Sequence, residues 1–148
     1  MANSEKKLTA EASITIDAPV NEVWEAFVNP ELIRQYMFGT NVESDWEVGS
    51  SIVWRGEWKG TPYEDKGTIL RMEQQKTLQY SHFSPLSGQP DTPDSYHTVT
   101  VELAGAGPQT EVRLMQDNNE SEEAREHSAK NWQTMLEEMK KVLENRAR

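Results

Sequence analysis

A chain of 148 residues with no linker-like interior fits one domain, long enough to bury a core without covalent staples. Twenty-five acidic against fifteen basic residues leave a net charge of -10, which opposes nucleic acid and anionic membranes as partners, and the lack of cysteine excludes disulfides and thiolate chemistry. No stretch approaches the roughly 18 apolar residues of a membrane span, and the lysines near the start have no apolar run behind them, so a cytoplasmic protein is expected.

Residues 1–10 read as a flexible tail and 11–148 as the single domain. Ile14, Ile16 and Ala18 alternate with Ser13, Thr15 and Asp17, the period of a half-buried strand over residues 12–18. Pro19 follows, and Val20, Val23, Trp24, Phe27 and Val28 then recur at helical spacing. Asn29-Pro30 interrupts that pattern, and Leu32, Ile33, Tyr36 and Met37 begin another. Proline inside one continuous helix costs about 3 kcal/mol, so two short helices are expected, the second capped by Asn29.

The middle of the chain alternates. Ile52, Trp54 and Trp58 share one face of residues 51–58, and Lys59-Gly60-Thr61-Pro62 is turn chemistry. Residues 63–73 form a further strand whose register is blurred by adjacent Ile69 and Leu70. Leu78, Tyr80 and His82 alternate with Gln79, Ser81 and Phe83. The following SPLSGQPDTPD, residues 84–94, is longer than a simple hairpin needs, and it is expected to border the mouth of a cavity and to be mobile. Val99, Val101 and Leu103, then Val112 and Leu114, give two more strands joined through Gly105 and Gly107-Pro108. Asn119 and Ser121 introduce a long amphipathic helix through Ala124, Ser128, Trp132, Met135, Met139, Val142 and Leu143.

This order implies an α+β fold of helix-grip type, a curved antiparallel sheet of six to seven strands around a long C-terminal helix. The two short helices turn the chain along the rim and close one end. The sheet wraps the helix incompletely and leaves a cavity between them.

Several stretches carry a family resemblance. They are Ile14-Thr15-Ile16-Asp17-Ala18-Pro19 with Val23-Trp24, Asn29-Pro30-Glu31-Leu32, Val48-Gly49, Tyr96-His97-Thr98-Val99-Thr100 with Glu102-Leu103, Thr110-Glu111-Val112 and Asn131-Trp132. In that order they resemble the activator of heat-shock-protein ATPase homologue-like branch of the START-like (SRPBCC, polyketide cyclase-related) superfamily. Tyr36 stands where tryptophan is frequent there, and Asn131 where glycine usually precedes the helix tryptophan. The resemblance implies the helix-grip fold, a cyclase- or hydrolase-type enzyme as one alternative, and a co-chaperone with a chaperone partner as another.

The residues themselves favour binding over catalysis. His82, His97 and His127 lie on three separate elements without metal-ligand spacing, and no metal or other cofactor is expected. No nucleophile elbow, phosphate loop or dinucleotide fingerprint occurs. Trp54, Trp58 and Tyr80 on the sheet, with Trp132 and Met135 on the helix, are the candidate walls for a small apolar or aromatic ligand. His82 shares the Tyr80 face, and the two would supply orienting hydrogen bonds.

Overall fold

The computed structural model describes residues 8–146, with Trp58 and Arg146 described by their backbone. The first strand, β1 (Leu8–Ile16), buries Ala10, Ala12 and Ile16 on one face. It starts at Leu8, inside the stretch expected to be a tail of ten residues; residues 1–7 lie outside the described residues. The strand pairs with a distant partner from its first residue, and local composition carries no sign of that.

Helix α1 (Val20–Val28) and helix α2 (Pro30–Tyr36) follow as expected, with the break at Asn29. Asn29 Oδ1 accepts from the Glu31 backbone N–H at 2.9 Å while the Asn29 N–H donates to the Glu25 carbonyl, so one residue ends the first helix and caps the second. Tyr36 closes the corner: its buried hydroxyl donates 2.6 Å to the Ala26 carbonyl. Burial pushes that phenol well above its ordinary value.

Six more strands run antiparallel: β2 (Asn41–Ser44), β3 (Ser51–Trp58), β4 (Thr61–Glu73), β5 (Thr77–His82), β6 (His97–Ala106) and β7 (Gln109–Asn119). The sheet order is β1-β7-β6-β5-β4-β3-β2. The first strand therefore closes against the last, and β2 forms the far edge. A register shift between Ile69 and Arg71 in β4 places Ile69 opposite Tyr80 and Met72 opposite Leu78. This bulge explains the adjacent apolar pair: Ile69 is fully buried while Leu70 is turned outward. At Gly67 a Cβ would fall 1.7 Å from the Ser81 carbonyl oxygen, so β4 and β5 approach too closely for any other residue.

The chain ends in α3 (Glu122–Arg146), whose first turn is capped by Ser121 Oγ accepting from the Ala124 N–H at 3.0 Å. Met135, Leu136, Met139 and Leu143 pack into the sheet, the last three fully buried. Each such side chain contributes about 1.5–3 kcal/mol of burial. The outer flank of α3 lies along the free edge of β1. Gln133 bonds both the N–H and the carbonyl of Ser13, Lys140 donates to the Thr15 carbonyl, and Glu144 accepts from the Asp17 N–H. This is the helix-grip architecture, with α1 and α2 closing one end of the grip.

Candidate functional site

The β3–β4 hairpin sets the site. Lys59 and Gly60 both adopt left-handed backbone, φ 51° and 83°, a two-residue turn that matches the twist of the strands it joins. It places Trp54 directly opposite Asp65 and Gly56 opposite Tyr63. Opposed residues share a face, so an indole and a carboxylate stand side by side on the concave wall. From β5, Tyr80 and His82 join them, with ring centroids 5.2 and 5.0 Å from Trp54.

Trp132 of α3 lines the same hollow, a cavity of about 340 Å³. A second compartment of about 330 Å³ adjoins it, sharing Met37, Thr40, Tyr63 and Trp132 and reaching Met135. A third, more polar one of about 400 Å³ meets the first at His82 and Ser84. Trp54, Tyr80, His82 and Trp132 border the first of these hollows, and Trp132 and Met135 the second. The Trp58 side chain lies outside the described residues. A larger hollow of about 590 Å³ lies beside β1, β6 and β7 but has no aromatic wall among the described residues.

Hydrogen bonds fix the walls. His82 Nε2 lies 2.9 Å from Asp65 Oδ2. A carboxylate only accepts, so Nε2 carries the hydrogen, and Nδ1 is the ring nitrogen with no partner among the described residues. Asp65 Oδ1 is buried and makes no hydrogen bond among them. Thr40 Oγ1 donates to the Met37 carbonyl at 2.7 Å, so the 2.6 Å contact with Tyr63 must be donated by the Tyr63 hydroxyl. That ring lies across Gly56, where a Cβ would come within 2.5 Å of its oxygen. Trp132 Nε1 donates to Gln116 Oε1, fixing the indole between helix and sheet. Burial pushes the Tyr80 phenol up, and it has no hydrogen-bond partner among the described residues.

The mouth has two exposed apolar side chains. Phe38, 75% exposed and in left-handed backbone, borders the second compartment. Leu86, in the 84–94 loop, borders the first, so the loop does flank the cavity. That loop holds two short 3-10 turns and is tied down by Lys66 Nζ and the Tyr96 hydroxyl, both bonded to Asp91.

His82, His97 and His127 all border the third compartment, although sequence spacing separated them. His97 Nδ1 donates to the Asp117 carbonyl at 2.9 Å. Among the described residues no group of three or more His, Asp or Glu side chains is arranged to hold a metal ion. The His82–Asp65 pair has the form of an oriented general base, yet among the described residues no hydroxyl lies in hydrogen-bond reach of its imidazole. Asp65 and Tyr63 were not evident as site residues from sequence. The signal for both was the Lys59-Gly60 turn, which fixes the register opposite Trp54 and Gly56.

The family model for activator of Hsp90 ATPase homolog 1-like proteins matches residues 17–144. The chain is similar to the solution structure of ChR145 from Cytophaga hutchinsonii, with 58% identity, 96% of this chain and 97% of that one covered, and a TM-score of 0.84. MLL2253 from Mesorhizobium loti shares the fold at 20% identity, with 93% and 98% coverage and a TM-score of 0.76. Aha1 from Colwellia psychrerythraea, solved as a dimer, shares it at 18% identity, with 92% and 96% coverage and a TM-score of 0.71. No curated protein matches the chain. Among the described residues, no helix is long and apolar enough to cross a membrane.

Proposed function

The chain belongs to the family of activator of Hsp90 ATPase homolog 1-like proteins, and from that membership we propose that it is a cytoplasmic domain holding a small, mostly apolar or aromatic molecule between its sheet and its long helix. Family and fold support a ligand-binding or co-chaperone-like domain in general. The finer reading rests on one observation: large rings from both walls bound a hollow instead of meeting across it. Trp54 and Tyr80 on the sheet and Trp132 on the helix line a space of about 340 Å³, which shares Met37, Thr40, Tyr63 and Trp132 with a neighbouring one of about 330 Å³. Together these match the size and mainly apolar character of a small-molecule site.

Binding is favoured over an enzymatic use of the same cavity because the imidazole of His82 has a carboxylate behind it but no nucleophile beside it among the described residues. Titration with a flat aromatic probe tests the reading. It should bind at one site, quench tryptophan emission and depend little on salt, since apolar burial drives it. Native mass spectrometry of the freshly purified protein should show a co-purified small molecule. Turnover of that molecule would move the assignment to an enzyme. Absence of binding at millimolar probe would leave the chaperone-type partner as the better account.

A further inference from the structure

Several polar groups of the first compartment have already spent their hydrogens. Tyr63 spends its hydroxyl hydrogen on Thr40, Thr40 spends its own on the Met37 carbonyl, and His82 Nε2–H is held by Asp65. These groups now offer acceptors: the unpartnered His82 Nδ1 in its neutral form, the spare lone pairs of Tyr63 and Thr40, and behind His82 the orphaned oxygen of Asp65. Beside them, the hydroxyls of Tyr80 and Ser84 and the indole N–H of Trp54 keep a hydrogen to donate among the described groups of this wall.

The charges tip the balance toward a donating head. Among the described residues, no lysine or arginine lines any of the three compartments; their formal charges are Asp65, Glu57, Asp94 and Glu120. The cations on the neighbouring strands face outward and are engaged there, Lys66 by Asp91 and Arg55 by Glu43 and Glu64. An anionic ligand would meet a carboxylate with no cation to offset it, a costly burial. A cation would instead meet Trp54, Tyr80 and Trp132, whose faces attract positive charge.

We propose that this cavity selects its ligand by a hydrogen-bond-donating head, a hydroxyl or an ammonium, and turns carboxylates away. The inference rests on the ligand-binding reading above and narrows it to ligand chemistry.

Four probes sharing one ring system test it: naphthylmethylamine, naphthylmethanol, naphthoate and headless methylnaphthalene, titrated calorimetrically into the full chain at neutral pH. The amine and the alcohol should bind at least about tenfold tighter than naphthoate, with methylnaphthalene weaker than both, the effect of one or two hydrogen bonds. Comparing amine with alcohol separates a cationic from a neutral donor. The Asp65→Asn variant should lose about tenfold for the amine and little for methylnaphthalene. Naphthoate binding as tightly as the amine would overturn the proposal while leaving the cavity reading intact. So would equal affinity for all four. If none of the four binds, the cavity reading falls first and this inference with it. Should Asp65→Asn not fold, the wild-type order of the four probes decides the matter alone.

Discussion

The Tyr63 hydroxyl donates to Thr40 Oγ1 across 2.6 Å, joining strand β4 to the turn that leaves helix α2. The contact depends on the missing side chain of Gly56 beneath the ring, since a Cβ there would sit 2.5 Å from the Tyr63 oxygen. Tyr63→Phe should destabilise the fold by about 0.5–1.5 kcal/mol, one hydrogen bond. Gly56→Ala should displace the same ring and lose the same bond. Because the two changes break one contact, the double variant should lose less than the sum of the singles. Urea midpoints for the three variants provide the check, and strict additivity would show that Gly56 has no part in seating Tyr63.

Leu136 and Trp132 are on the same helix, but they do different things. Leu136 is fully buried in the core, whereas Trp132 is half-buried with its ring on the cavity. Leu136→Ala should cost about 2–5 kcal/mol, the range for a core cavity. Trp132→Ala, although it removes a larger side chain, should cost less stability and more probe affinity. Thermal melts beside probe titrations separate these outcomes. A Trp132→Ala loss exceeding that of Leu136→Ala would mean the indole packs as core.

Alkaline stability should be limited by two phenols. Tyr36 and Tyr80 both have ionisation pushed up by burial, Tyr36 also by the neighbouring Tyr80. A folded-state value above the unfolded one favours the folded state fully below the unfolded pKa, about 10, and that contribution fades as pH climbs beyond it. The protein should therefore lose stability above about pH 10, and Tyr80→Phe should flatten the decline. Phenolate absorbance is the direct measurement: these two tyrosines should ionise together with loss of near-ultraviolet dichroism. Smooth ionisation of all four tyrosines in an intact fold would contradict their burial.

The loop over the cavity mouth should be held electrostatically. Asp91 is depressed by its bonds to Lys66 and Tyr96, and Lys66 is raised by Asp91. The tie is therefore present between the two ordinary values, about 3.9 and 10.4, and is lost as pH falls through the depressed value of Asp91. Both groups are exposed, so salt should weaken the tie. Amide exchange across residues 84–94 should be faster in Asp91→Asn than in wild type at neutral pH and low salt. The difference should shrink in high salt. Identical exchange under the first condition would mean the prolines alone hold the loop.

Much of this was legible in the chain, for identifiable reasons. Trp54, Tyr80 and His82 shared a face because strand alternation is strict where nothing interrupts it. The break at Asn29-Pro30 marked the two helices because proline and a capping side chain act locally. What escaped depended on non-local pairing. Strand β2 has four residues and one buried side chain, Val42, too few to show a period. In β4 the bulge after Ile69 changes parity, so Met72 and not Arg71 turns back toward the core. Asp65 went unnoticed because a carboxylate between Glu64 and Lys66 reads as surface until the hairpin register sets it against Trp54.

The seal on β1 has a consequence for how this protein fails. A free strand edge is a template on which another chain can add, and natural sheets blunt such edges with charge or cover. Here the cover is made of Gln133, Lys140 and Glu144, which belong to a helix at the opposite end of the chain. Any event that lifts the last turns of α3, whether proteolysis, a truncation or heat, uncovers the adhesive edge before the sheet itself has come apart. The hazardous species is then a nearly native one, a complete sheet with its clasp undone, and aggregation should begin there rather than from the unfolded chain.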